Sequence, residues 1–186
     1  MSNAPANPYI EPWLRGTHTE VPAAGRAVLH ALELSLDDLT KWTAGLTDAE
    51  VRSAPLGLTP ISYHLRHIAR SADRILTYAE GGQLSAAQLS ALKTEQAALQ
   101  RDGAEQGGEG KQETLAELLT EVEASFSNAA GRIRVLAAAN LDTPRFVGRK
   151  QLPTSIGGAL IHVADHTQRH TGQVVTTANV LQALRS

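Results

Sequence analysis

The sequence predicts an all-α protein built on a four-helix bundle, and three observations indicate this class. Four long segments repeat apolar residues at spacings of three and four, the period of a helix with one buried face. No alternating stretch of apolar and polar residues is long enough to indicate a β-strand. Aromatic residues make up only 4% of the chain, which suits close packing of helices. The length fits one domain, so we expect a single unit over residues 1–186 that begins with an irregular segment at 1–20.

The first long helix is predicted over about residues 22–44. A short helical turn follows, because Thr47–Glu50 reads T-x-x-E, a capping box in which side chains satisfy the free amides of the first turn. The second long helix is predicted over about residues 59–80, with Thr59 as its N-cap and a proline at its first helical position. It ends before paired glycines, which favour a turn.

One short extra helix is expected between the second and third long helices. It covers about residues 85–100 and opens on another capping-box pattern, Ser85–Gln88. The glycine-rich, charged stretch Gly103–Gly110 is predicted to be a mobile surface loop. The third long helix covers about residues 114–140 and begins at a further capping box, and a loop at 141–153 follows it.

The composition restricts the chemistry to a few residue types. Cysteine is absent, which excludes disulfides, thiolate nucleophiles, iron–sulfur clusters and zinc fingers. A formal net charge of -2 argues against a nucleic-acid partner. No secretory signal pattern is present and no apolar run approaches the ~18 residues of a membrane span, so we expect a cytoplasmic protein with no membrane partner. The seven histidines remain as carriers of metal or acid–base chemistry.

The fourth long helix, predicted over about residues 154–184, contains three histidines at spacings of four: His162, His166 and His170. Side chains four apart on a helix lie about 5–6 Å from each other at their Cβ atoms, on nearly the same face. Two such imidazoles can reach one ion, so His-x-x-x-His is a metal clamp by its geometry. The same pattern also suits surface histidines or hydrogen-bonded core histidines.

A third ligand is available on the second long helix, where His64 and His67 lie three residues apart. If this helix packs beside the fourth, one of them completes a three-histidine site with an open position for water or substrate, as in catalytic sites. At about 100° per residue, His64 lies at the edge of the apolar stripe and His67 about 60° further toward its flank. The angle favours His64, but spacing alone does not choose between them.

These motifs resemble those of the DinB/YfiT-like superfamily, a group of bacterial four-helix bundles that bind a divalent metal. Its members have a histidine, a hydrophobic residue and a small residue on the second helix, as in His67-Ile68-Ala69 here. They also have His-x-x-x-His before a Gly-Gln pair on the fourth helix, which matches the segment from His166 to Gln173. The resemblance covers about residues 17–184 and is most specific in the fourth helix.

The resemblance implies that His67, His166 and His170 are the metal ligands. His64 and His162 then become neighbours of the site that support the ligands or contact substrate. The metal is expected to be zinc or nickel, which nitrogen ligands bind well. Individual catalytic residues are not indicated by the sequence.

The function implied is that of a metal-dependent enzyme, such as an S-transferase that uses a low-molecular-weight thiol as a small-molecule substrate. Two alternatives stay open: a metal-dependent hydrolase, and a non-enzymatic, stress-linked, dimeric metal-binding module. No acidic residue is placed by spacing to act as a base on a metal-bound water, which favours thiol chemistry slightly. The resemblance also implies a homodimer.

Overall fold

The computed structural model describes residues 10–101 and 113–185, except the side chains of residues 98–101. Six α-helices lie within these residues: α1 (Ala23–Thr43), α2 (Asp48–Arg52), α3 (Ile61–Ala79), α4 (Ala86–Arg101), α5 (Leu115–Ala137) and α6 (Ile156–Leu184). The all-α class is therefore confirmed. In the described part of the segment expected to be irregular, a single 3₁₀ turn at Pro12–Leu14 is present. The loop predicted at Gly103–Gly110 lies outside the described residues.

Four long helices surround the hydrophobic core. Helix α1 packs on α5 and α6, helix α3 packs on the same two helices, and α4 contacts α3. The largest fully buried side chains come from all four long helices and from α2: Leu39, Val51, Ile61, Leu65, Ile68, Leu76, Leu118, Val122, Ile133, Leu160, Val163 and Val174. Among the described residues, no helix has the length and apolar character needed to cross a bilayer. The packing of α3 on α6 is the feature that brings the predicted histidines together.

Three of the four N-caps predicted from the sequence are present in the structure. Reciprocal capping boxes are present at Thr47–Glu50 and at Thr114–Glu117. Ser85 and Gln88 likewise exchange backbone-to-side-chain hydrogen bonds. The N-cap predicted at Thr59 is wrong, because Pro60 occupies that position with ψ of 144°. Its carbonyl accepts the first intrahelical bonds, so the proline lies just outside the helix instead of at its first position.

The loop predicted at 141–153 contains a small β-hairpin, which corrects the expectation of irregular structure. Strand β1 (Pro144–Val147) pairs antiparallel with β2 (Leu152–Ser155). Each strand has only four residues and includes a proline, so alternation is too short to be recognised in the sequence. The hairpin bonds to the end of α3 through Arg145 Nε, which lies 2.6 Å from the Ala79 carbonyl oxygen. Ser155 then caps α6.

Candidate metal centre

Three half-buried histidines meet where α3 packs on α6. One ring nitrogen from each of His67, His166 and His170 lies within 4.8 Å of the other two. The closest pair is His67 Nε2 and His166 Nε2, at 2.8 Å. Ring centroids in the group are 4.5–5.0 Å apart and the rings are steeply inclined to one another. The arrangement is a histidine cluster able to hold one metal ion.

The local fold explains why these side chains converge. His166 and His170 lie one helical turn apart on α6, on either side of Thr167, which is buried against the rest of the bundle. His67 is adjacent to Ile68 and Ala69, both buried in the core. The histidines therefore lie at the margin of the α3–α6 contact, half-buried, where a polar site can exist beside an apolar core.

A buried carboxylate on α4 orients His67. Glu95 Oε2 lies 3.0 Å from His67 Nδ1, and the same carboxylate receives two hydrogen bonds from Arg74, at 2.8 and 2.9 Å. Burial raises the pKa of Glu95, but the hydrogen bonds from His67 and Arg74 and the charge of Arg74 outweigh it, so the pKa is lowered. An ionised carboxylate only accepts hydrogen bonds, so Nδ1 of His67 carries the proton and Nε2 presents its lone pair to the cluster.

His64 is buried beside the cluster and outside the group of three. It is 3% exposed, and its Nδ1 lies 3.0 Å from Nδ1 of His170. The angle along the helix therefore correctly predicts that His64 points inward. The histidine of α3 that lies with His166 and His170, however, is His67. His64 is placed to fix the ring of His170 through this contact, and the assignment of ligands remains a prediction.

The charge state of the cluster suits metal binding. Burial lowers the pKa of His64, His166 and His170 to about 4 in each case, assisted by repulsion between neighbouring imidazoles. The charge of Arg169 contributes at the last two, whereas a hydrogen bond with Gln173 raises the pKa of His170 slightly. Neutral imidazoles are the form that binds metal, so no proton needs to leave these rings at neutral pH.

The residues present fit a divalent metal. Nδ1 of His166 is buried without a hydrogen-bond partner, while its Nε2 faces another imidazole nitrogen. Because Glu95 holds the proton of His67 on Nδ1, Nε2 of His67 presents a lone pair toward Nε2 of His166 at 2.8 Å, and a cation between the rings would accept the lone pairs that converge there. Three neutral imidazoles are the donor set that zinc and nickel accept readily.

We expect the stability of the metal-free protein to fall as the pH is lowered from about 6.5 toward about 4. The pKa of His64, His166 and His170 is about 4 in the fold, against 6.5 as the usual value, so the unfolded chain binds more protons in this interval. The stabilisation is complete above pH 6.5 and is lost through the interval. Thermal melting in the presence of a chelator measures it. The double variant His166→Gln, His170→Gln should show a weaker slope, and equal slopes would contradict the prediction.

His162 lies one turn before the clamp and is half exposed. Its ring centroid is 5.1 Å from that of His166, and its Nδ1 pairs with Asp165 at 3.0 Å. The ring is thus a neighbour of the cluster on its solvent side. A role in substrate contact stays a prediction.

A second histidine group lies on the other side of the core, although His18 and His30 have no partner histidine by spacing in the sequence. His18, His30 and Glu33 each place one ligand atom within 4.8 Å of the others. His18 Nε2 lies 2.6 Å from Glu33, and Arg134 donates to His18 Nδ1 at 3.0 Å. Both ring nitrogens of His18 are engaged in hydrogen bonds, and the guanidinium of Arg134 lies against the ring. Because hydrogen bonds and a positive charge already occupy this group, it is a poor site for a cation.

The arginines at four-residue spacing on α3 form ion pairs within the chain. Arg66 pairs with Glu113, and Arg70 Nε lies 3.0 Å from Glu121. Arg74 is buried with Glu95. Arginines at four-residue spacing on a helix favour a solvated face, but Arg74 departs from this pattern because its side chain is only 8% exposed. Glu95 was missed altogether, because it follows no motif and lies far from the histidines in sequence.

The fold and the cluster together define a class: a helical protein in which two helices supply three histidines able to hold one metal ion. The family model of the DinB superfamily matches residues 31–174, and the chain belongs to this superfamily. The matched range contains His67, His166 and His170. No curated protein shows significant similarity to the chain.

Proposed function

We propose that the protein is a metal-dependent enzyme that joins a low-molecular-weight thiol to an electrophile, with His67, His166 and His170 as ligands of a divalent zinc or nickel ion. The observation that carries the proposal is the all-histidine cluster, whose three nitrogens lie within 4.8 Å of one another. A bound divalent metal with an open position lowers the pKa of an incoming thiol, so that sulfur reacts as the thiolate.

The surrounding residues favour a thiol over water as the nucleophile. Among the described residues, no carboxylate belongs to the group of three, and Glu95 is engaged by His67 Nδ1 and Arg74. A hydrolytic site commonly uses a carboxylate as the base on the attacking water, and Glu95, the carboxylate next to His67, is already engaged. The chain has no cysteine, so the sulfur must arrive with the substrate.

The chain's own residues have separable roles in this proposal. Glu95 holds the proton on His67 Nδ1 and so leaves Nε2 for the metal. Arg74 keeps Glu95 ionised through two hydrogen bonds. Tyr63 stacks on the ring of His67, with centroids 5.5 Å apart and planes inclined by 11°, which limits rotation of that ring. Of the three proposed ligands, His166 is the one whose ring contacts the half-exposed His162.

The proposal predicts that cobalt-loaded protein develops a sulfur-to-metal charge-transfer absorption when a thiol is added. Glutathione, bacillithiol and mycothiol are the probes, because they represent the thiol class and share a free sulfhydryl. We expect at least one to produce the band, since three histidine ligands leave a position open. S-methyl glutathione, which has no free sulfhydryl, is the matched control and should produce none.

Three results would count against the thiol proposal. A cobalt spectrum unchanged by all three thiols would show that no thiol reaches the metal. An ester- or amide-hydrolysing activity that depends on His166, found together with such a silent spectrum, would favour the hydrolase instead. A closed four-coordinate spectrum without activity would favour a structural module.

A further inference from the structure

A cavity adjoins the histidine cluster on the side of His64. Its volume is about 260 Å³, and it lies between α6 and the segment that precedes α3. His64 lines this cavity and contacts His170 at 3.0 Å, and Gln173, another lining residue, bonds to His170. The three proposed ligands do not line the cavity themselves, so a small molecule held here would touch His64 and Gln173, the two residues through which the cavity adjoins His170.

The cavity presents a positive charge with little to neutralise it. Arg169 lines it, and none of the acidic side chains that the structure describes does. The side chain of Arg169 is 60% exposed, and within the described residues its ion pair is a single 3.3 Å contact with the exposed Asp165. Exposed pairs of this kind are weak, so the guanidinium can bind a second carboxylate. The positive field of Arg169 reaches the cluster, where it contributes to the lowered pKa of His166 and His170.

Gly172 keeps one wall of the cavity open. It lies inside the 29-residue helix α6, where glycine costs about 1 kcal/mol relative to alanine. A Cβ atom added at this position would meet no atom within 4 Å, so packing does not require the glycine. Gly131 in α5 is equally unobstructed and lies outside this cavity. An occupant of the cavity would explain the absence of a side chain at Gly172.

We propose that this cavity binds the carboxylate end of an anionic low-molecular-weight thiol, with Arg169 as the carboxylate-binding residue and the sulfur directed to the three-histidine cluster. Thr59 and Thr176 line the same cavity and supply hydroxyl groups for the polar parts of such a molecule. The inference rests on the proposed function, because it assigns a substrate class to that same site.

The test compares two small thiols that differ in the carboxylate. N-acetylcysteine carries it and N-acetylcysteamine lacks it, and binding of each is followed by the charge-transfer absorption of cobalt-loaded protein. We expect the native protein to bind N-acetylcysteine about tenfold more tightly or better, as a charge-assisted hydrogen bond to a carboxylate provides. Arg169→Gln should abolish this preference and leave binding of N-acetylcysteamine unchanged. Arg149→Gln, at an exposed position in the hairpin region, is the control and should change neither affinity.

A second pair of variants tests the cavity itself. Gly172→Leu and Gly131→Leu each replace a helical glycine, so both should raise the melting temperature. We expect only Gly172→Leu to weaken N-acetylcysteine binding, by at least as much as Arg169→Gln, because its side chain would occupy the cavity. Equal binding by both leucine variants would show that the cavity is not used.

The outcomes separate this inference from the proposed function. If both thiols bind equally well and Arg169→Gln changes neither, the carboxylate pocket is refuted while thiol binding stands. If neither thiol binds to the cobalt-loaded protein, the proposed function fails, and the inference fails with it.

Discussion

Replacing His166 by alanine should remove the bound metal from the protein. The native chain is expected to bind about one divalent ion, and loss of one of three imidazoles leaves two, too few for tight binding at a site with an open position. The side chain is half-buried at the centre of the cluster, with ring centroids within 5.1 Å of three other histidines. Metal content after dialysis against dilute zinc or nickel, measured by elemental mass spectrometry, gives the result.

The matched control for this variant is His162→Ala. His162 lies on the same helix one turn earlier, but it is half exposed and pairs with Asp165. We expect it to retain the native amount of metal. If His166→Ala also retained the native amount, the clamp on α6 would be refuted. If His162→Ala lost as much metal as His166→Ala, the ligand set would have to include His162.

Glu95→Gln should destabilise the fold and weaken metal binding together. The substitution preserves side-chain shape but leaves Arg74 as a buried charge without its counterion, which costs about 3–5 kcal/mol in the free energy of unfolding. It also removes the carboxylate that orients His67, and loss of such partners lowers metal affinity about 10–100-fold. Urea unfolding of the metal-free protein measures the first effect, and metal titration measures the second.

Glu121→Gln is the control for the Glu95 variant. Glu121 pairs with Arg70 on the same helix face, but both side chains are about 30% exposed, so we expect a change of about 0–1 kcal/mol. Metal affinity should be unchanged. Equal unfolding free energies for the two variants would contradict the stabilising role of the Arg74–Glu95 pair. Equal metal affinities would contradict the positioning of His67 by Glu95.

The helices could be predicted from the sequence because each has a local signal. Apolar spacing gave the buried faces, and capping boxes at Thr47 and Thr114 marked two helix starts that the structure confirms. The N-cap of α3 was predicted wrongly, since a proline in extended conformation and one in the first helical turn have the same local sequence. The hairpin was missed for two reasons. Its strands have only four residues each, too few to show an alternating pattern, and the bond from Arg145 to the end of α3 joins residues that are distant in sequence.

The candidate site could be predicted only in part. The spacing of His166 and His170 on one helix is a local property, whereas the choice between His64 and His67 depends on how α3 rotates against α6. Glu95 could not be predicted, because its partners His67 and Arg74 lie 28 and 21 residues away. The same limit applies to the contact between His18 and Arg134, which are 116 residues apart.

Heteronuclear NMR of the imidazole nitrogens during zinc titration tests the three-histidine centre most directly. We predict that one equivalent of zinc per chain shifts a ligand nitrogen in each of His67, His166 and His170, with saturation at that ratio. Nδ1 of His67 should keep its proton throughout, because it is bonded to Glu95. Zinc-induced ligation of His64 in place of His67, or spectra unchanged by zinc, would contradict the account.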